Sequence, residues 1–351
     1  MISDTCRALL ADSQRFATSY GSGLFNHLPM ALLALERLGG DDARLRQFAA
    51  FYEKRLHLKT AGDPLPNDDW REALGQRRYE TALIATFEHD LRDRGAAALL
   101  GDVVPHLTTG IASEAFHGAI RTAYAIDSGD DVDVAGALAS WVTGFSELPG
   151  PSAAKRFDMI EDAFAAIASD DRFATPIEGR SIDGRIAKVN ALPAFDDYRL
   201  AIANPALPDL ARIAAKVFIS TGDFIALHLV TGCHAARLLQ PFLLPTAVDV
   251  LATAMLAAYV VIGRPTVTGL AGRGSFDRAS TPPGFSPAQD DKASRRLPST
   301  IIDDDADLAS IAVKSDDDHD LKLVYSCLQE EAHYKSGLHR LAAAVRLGAR
   351  P

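Results

Sequence analysis

The sequence predicts an all-α fold: a single large multi-helix domain over residues 1–351. Three observations predict it. Apolar residues recur at three- and four-residue spacing through most of the chain, the period of a helix with one inward face. Alanine, the best helix former, is abundant. Runs that alternate apolar and polar residues, the mark of a half-buried strand, are scarce. At 351 residues and 48% hydrophobic, the chain can bury a core without disulfide staples.

The helical period is clearest over 28–38, 82–91, 138–145, 160–167, 210–219 and 321–347. Helices of roughly 10 to 25 residues fit these segments. The stretch 247–262 is the most apolar, but Asp249 interrupts it. It falls short of the roughly 20 residues that cross a bilayer, so it predicts a buried helix. Ser315, followed by Asp316, Asp317 and Asp318, predicts a helix start with carboxylates at the positive end of the dipole. Breaks fall at 60–69, 128–133 and 176–193, where Gly, Pro, Asp and Asn cluster. The longest is a Gly/Pro-rich loop over 263–299, carrying Pro265, Pro282, Pro283, Pro287 and Pro298. A loop of that length is either a lid over a site or a surface excursion.

Composition excludes several function classes. A net charge of −10 argues against nucleic-acid and anionic-membrane partners, which reward clustered Lys and Arg. Cys6, Cys233 and Cys327 have no metal-site spacing and form no disulfide framework, so a cytoplasmic protein is expected. The first 13 residues carry Asp4, Arg7 and Asp12 without an apolar core, which does not describe a signal peptide. Gly269, Gly272 and Gly274 stand in the wrong order for a dinucleotide cradle, and no Walker A or GxSxG motif occurs. Asp303, Asp305 and Asp307 begin like a calcium loop, but its sixth and twelfth positions are Leu308 and Lys314. Asp316, Asp317 and Asp320 match DDxxD, the magnesium-diphosphate motif of all-α terpene synthases. No second such motif follows, and an acidic helix start explains the same residues.

Five of the ten histidines lie in locally apolar helical segments: His27, His106, His117, His228 and His319. Each alone reads as a satisfied core histidine. Together they ask for partners, because burying an imidazole without one costs about 1–3 kcal/mol. One shared metal would satisfy several, and imidazole suits Fe, Zn, Cu and Ni. His228 and His234, six residues apart, point roughly 120° from each other on one helix, so they do not share an ion. If His106 and His117 lay on one helix they would be roughly 16 Å apart, so only one can be a ligand. His319 and Lys322 are neighbours on one face. Lys322 is either an exposed lysine paired with Asp318 or a desolvated amine that can add carbon dioxide to give an anionic carbamate. His57, His89, His333 and His339 read as ordinary surface or helix residues.

At these residues the chain resembles the questin oxidase-like family. The shared features are Asn26-His27 before an apolar helix, Pro105-His106-Leu107 before Gly110, and Asp223-Phe224 leading to His228. The last is Asp316-Asp317-Asp318-His319-Asp320-Leu321-Lys322. They run in order over positions 26 to 322. The resemblance implies an all-helical oxygenase with a metal site in its helical core, acting on polyketide aromatics. Fungal members open an anthraquinone ring by a formal Baeyer–Villiger insertion of oxygen. It implies Fe(II) held by His27, His106, His228 and His319, with carbamylated Lys322 as a further ligand. His117, Arg121 and His234 would surround the ligands and substrate. Phe25, Met30, Phe116, Phe224 and Leu227 would line the pocket, closed by the 263–299 loop. The implied partners are a small aromatic molecule and O₂. Fungal members are NADPH-linked, and NADPH as electron donor would need a binding mode for which no motif is present here. The chain departs from the fungal pattern at Met30 and Ala31, where those members have extra histidines. His117-Gly118, the alanine content and the bias of Arg over Lys resemble bacterial members. Three other readings use the same residues: a zinc hydrolase or lyase on the histidine cluster, a terpene-synthase-like Mg²⁺ enzyme, and a non-catalytic helical binding protein.

Overall fold

Aspartate caps open several of the helices. Asp41, Asp223 and Asp317 each precede a helix and accept amide hydrogens from its first turn, satisfying donors that have no partner within the helix. The structure, a computed structural model, describes residues 1–21, 23–150, 157–200, 202–267 and 305–348. The part of the predicted lid over 268–299 lies outside them.

Among the described residues the fold is fifteen α-helices and one two-stranded hairpin. The helices are α1 Asp4–Ser13, α2 Leu28–Arg37, α3 Asp42–Tyr52, α4 Glu80–Arg94, α5 Ala96–Leu107, α6 His117–Asp127 and α7 Val134–Thr143. Then come α8 Ile160–Ala168, α9 Ile182–Asn190, α10 Leu207–Thr221, α11 Phe224–Leu239 and α12 Ala247–Ile262. The chain ends in α13 Asp305–Ala312, α14 Asp318–Tyr334 and α15 Leu338–Arg346. Strands β1 Ser19–Tyr20 and β2 Leu24–Phe25 pair antiparallel just before α2. The all-α expectation holds.

One hydrophobic core runs from Ile2 to Leu347. At its centre, α2, α6, α11 and α14 pack in a ring, each against two of the others. Residues 28–35 of α2 are all buried, so this helix is covered on every side. Its Pro29 sits in the first turn, where a missing N–H leaves no bond unmade. The apolar stretch 247–262 is α12, buried as expected. Among the described residues no helix is long and apolar enough to cross a membrane.

Two segments differ from the sequence reading. The continuous period over 321–347 is two helices, because Lys335 adopts left-handed backbone and ends α14. The residues between α5 and α6 form a short 3₁₀ turn, Thr108–Gly110, followed by three successive left-handed residues, Glu114, Ala115 and Phe116. Left-handed backbone costs a non-glycine residue roughly 1–2 kcal/mol, so a run of three persists only where packing fixes it. Phe116, fully buried, packs on Gly232 of α11; a Cβ there would stand 3.0 Å from its ring.

Candidate metal centre

The four ring helices enter the centre by their amino ends, and each brings one histidine. His27 caps α2, His117 is the first residue of α6, His319 is the second of α14, and His228 lies one turn into α11. The His27 and His117 rings stack with centroids 4.7 Å apart. His319 meets His27 edge-on at 4.8 Å, and His228 meets His117 at 4.9 Å. His228 and His319 close the ring at 6.0 Å. All are shielded: His27, His117 and His228 are at most 8% exposed.

Each ring turns its Nδ1 outward to an oxygen. His27 Nδ1 donates to Asp318 Oδ2 at 2.5 Å, and His228 Nδ1 to the Phe224 carbonyl at 2.8 Å. His117 Nδ1 donates to the Glu114 carbonyl, and His319 Nδ1 to Asp317 Oδ1 at 3.2 Å. These oxygens only accept, so each Nδ1 carries a ring proton, and the burial that disfavours the charged form leaves Nε2 of His27, His117 and His228 with a lone pair. The Nε2 atoms of His228 and His319 are buried without a hydrogen-bond partner. Those of His27 and His117 face each other at 2.7 Å, acceptor against acceptor. Orphaned buried acceptors cost about 1–3 kcal/mol each. A cation held among these rings would take up such lone pairs. Histidine ligands whose second nitrogen is fixed by an oxygen are the usual form of such sites, so the residues fit a metal.

Asp318 is the hub. Its Oδ2 also lies 3.3 Å from His319 Nδ1 and 3.6 Å from Lys322 Nζ. Among the described residues His27, Asp318 and His319 bring ligand-type atoms within 4.8 Å of one another. Burial, then the charge of Lys322, pushes His27 down to about 3. Burial likewise holds His117 and His228 well below the usual imidazole range. Burial alone would raise the Asp318 carboxyl, but its contacts with His319, His27 and Lys322 outweigh that and hold it well below. Burial pushes the Lys322 amine down to about 8 against the pull of Asp318. The centre therefore presents neutral imidazoles at His27, His117 and His228, an anionic carboxylate and a desolvated amine. Lys322 is buried rather than an exposed partner of Asp318.

Two aromatic rings cover the cluster. Phe25 of β2 stacks on His117 at 4.6 Å. Phe224, 46% exposed, sets its ring edge against His228 at 4.7 Å and His319 at 4.8 Å. A polar cleft of about 320 Å³, bordered by Lys59, Arg77 and Glu80, lies apart from the histidines.

The structure brings together His27, His228, His319 and Lys322 but not His106. His106 ends α5 on the exposed side and touches Trp70 edge-on at 5.5 Å. His117, expected beside the ligands, packs directly on His27 and His228. The cause is the left-handed turn after α5, which separates the two histidines into different helices. His106→Ala is accordingly expected to leave metal content unchanged, as metal analysis of the purified variant would show.

Other expected pocket residues lie elsewhere. Arg121 is buried in an ion pair with Asp133 at 2.6 Å and does not face the histidines. His234 donates to Glu330 Oε1 at 2.7 Å, on another side of α11 from His228, as their spacing requires. Met30 and Phe116 are buried in helix packing, as is Leu227. His57, His89 and His333 are exposed, whereas His339 is buried against Tyr334 at 5.9 Å. The DDxxD carboxylates are engaged by arginines: Asp316 by Arg44, and Asp317 and Asp320 by Arg346. Asp318 was legible as part of a helix start and as a partner of Lys322 but not as a partner of His27, and Glu114 carried no signal at all.

A search of curated proteins found no match. The sequence model of the questin oxidase-like family matches residues 24–327. That span begins in β2, ends in α14 and contains every residue of the cluster. An oxidase-like family suggests an oxidoreductase acting on an aromatic small molecule. With the match covering most of the sequence, the chain belongs to the questin oxidase-like family.

Proposed function

We propose that the chain is a metal-dependent oxygenase that uses O₂ for a Baeyer–Villiger-type oxidation or ring cleavage of an aromatic or quinone substrate. The observation that supports this reading is four histidine rings packed at one centre, where, among the described residues, the Nε2 atoms of His228 and His319 have no hydrogen-bond partner and those of His27 and His117 face each other. Non-haem iron is the proposed metal, with His27, His117, His228 and His319 as its ligands. When bound, iron supplies the electron transfer to O₂ that makes its reaction with an aromatic substrate feasible.

The protein's part is positioning and exclusion. Asp318, Asp317 and two carbonyls fix the four ring planes. Phe25 keeps water from one side. The half-exposed face of Phe224 offers a stacking surface where a flat substrate can reach the cluster. Lys322, its amine held near 8 by burial, has a neutral fraction available to attack carbon dioxide. Forming the new N–C bond would open one C=O π bond of carbon dioxide and release the amine proton, leaving an anionic carbamate on Lys322 that could serve as a further ligand.

Metal analysis of protein purified without chelators tests the reading, with an anomalous-scattering map to place the ion. Stoichiometric iron on the four rings is expected. Zinc at the same place would favour the hydrolase or lyase reading, and an absence of metal after reconstitution would overturn both.

A further inference from the structure

His117 is the only ring of the cluster whose outer nitrogen is held by a residue in left-handed backbone. The Glu114 carbonyl accepts both the His117 ring Nδ1–H and, at 3.3 Å, the His117 backbone N–H. The direction of that carbonyl therefore sets where the imidazole points and which nitrogen carries its proton. The turn that carries it is unfavourable in itself: Glu114, Ala115 and Phe116 have φ of 51°, 57° and 70°, and none is glycine.

The Glu114 side chain is held from outside the turn. Its Oε2 accepts from Arg77 Nη2. Arg77 is itself fixed by the Ser140 carbonyl at 3.1 Å, Thr143 Oγ1 at 3.1 Å and Glu80 Oε2 at 3.2 Å. The other carboxylate contact of this network runs toward the second stacked histidine. Thr18 Oγ1 donates to Glu80 Oε2 at 2.7 Å, while the Thr18 carbonyl accepts the Asn26 amide at 2.8 Å, next to His27. Gly144 makes room for the pair, since a Cβ there would stand 2.6 Å from Arg77 Nη2 and closer still to Glu114 Oε2. A planar guanidinium with several fixed acceptors is a rigid anchor in a way that a lysine is not.

We propose that Arg77 is a positioning residue of the metal centre, acting through Glu114 to hold His117 in the Nδ1–H tautomer with Nε2 toward His27. The assignment rests on the metal-centre reading above for its functional meaning, but its physical content does not need the metal. The Arg77 guanidinium bonds Glu114, Glu80, Ser140 and Thr143 and none of the histidine rings. Its effect passes through one carbonyl to one ring.

The test uses the full chain with ¹⁵N-labelled histidine, in Glu114→Gln, Arg77→Met and Arg77→Lys, read by ¹⁵N chemical shifts in metal-free protein. His117→Asn identifies the His117 signals. Wild type is expected to show His117 as the Nδ1–H tautomer alone. Glu114→Gln and Arg77→Met are expected to mix the two tautomers at His117 and leave His228, tied to the Phe224 carbonyl, unchanged. Arg77→Lys keeps the charge without the fork and is expected to fall between. In the same variants the Fe(II) dissociation constant is expected to rise roughly 10- to 100-fold, the usual effect of losing an outer partner. An unchanged His117 tautomer in both Glu114→Gln and Arg77→Met overturns the proposal. So does equal disturbance of His117 and His228, which would mean a general loosening. Absence of iron binding in wild type would overturn the metal reading alone, because the tautomer measurement decides the role of Arg77 without it.

Discussion

Asp318→Ala is expected to weaken both the fold and the metal centre more than any other single change in the cluster. The carboxylate bonds His27, lies against His319 and faces Lys322, all in a nearly dry site. Removing one partner of a buried charged pair typically costs about 3–5 kcal/mol, because the other is left uncompensated. Lys322 sets the pH dependence. Its pKa is already down at about 8 with Asp318 in place, and it falls further without that carboxylate. In the variant the folded state must strip Lys322 of a proton at neutral pH, while the unfolded chain keeps it. The stability gap between wild type and variant therefore narrows as pH rises toward 8, where the wild-type amine also becomes neutral. Urea unfolding of both proteins at pH 6 and pH 8 measures this. A gap that stays constant would mean that Asp318 and Lys322 are not coupled. Metal affinity is expected to fall together with stability, since His27 loses its outer anchor and His319 the carboxylate beside it.

Acidification is the second large effect. His27 is held at about 3 and His117 and His228 well below the usual range, while unfolded histidines titrate near 6.5. Below pH 6.5 the unfolded state binds protons that the folded state refuses. Stability is therefore greatest above that value and is lost as pH falls. Each such histidine contributes about 1.4 kcal/mol per pH unit across its window. Domain stabilities of roughly 5–15 kcal/mol do not survive three of them for long. Metal-free protein is expected to unfold cooperatively between about pH 4 and pH 5. Bound metal competes with protons for the same lone pairs, so the holo form is expected to resist acid to a lower midpoint. Circular dichroism at 222 nm, followed against pH with and without chelator, gives both midpoints. A metal-free protein that stays folded to pH 3 would contradict buried neutral histidines.

Much of this architecture is legible in the sequence where one local signal is decisive. The helix over 247–262 is apolar, bounded by polar turns, and appears in the structure with the same ends. His228 and His234 separate as their spacing requires. The misreadings come where local signals conflict with packing. Glu114, Ala115 and Phe116 have helical or neutral propensities and no glycine, so nothing local marks them as a left-handed turn. The turn is imposed by Arg77 and Gly232, which are remote in sequence. Without it, His106 and His117 cannot be ranked. The break at Lys335 is hidden for another reason. The apolar period resumes nearly in phase after it, so two helices look like one. Asp318 reads as part of an acidic helix start with Lys322 one turn on, and its neighbour His27 becomes visible only when α2 and α14 meet.

The ring of helices has a consequence for the order in which the molecule assembles. The His27–Asp318 bond joins residues 291 apart, and His27–His117 joins residues 90 apart. No contiguous fragment of modest length contains the centre. Contacts of such separation form late, because the entropy of closing long loops comes before any reward. A cation bound across them ties the two ends of the chain to its middle, a clip placed where loop closure is longest. Loading with metal would thus report that folding is complete, and a chain nicked between the early and late helices would lose the ion as soon as its pieces drift apart.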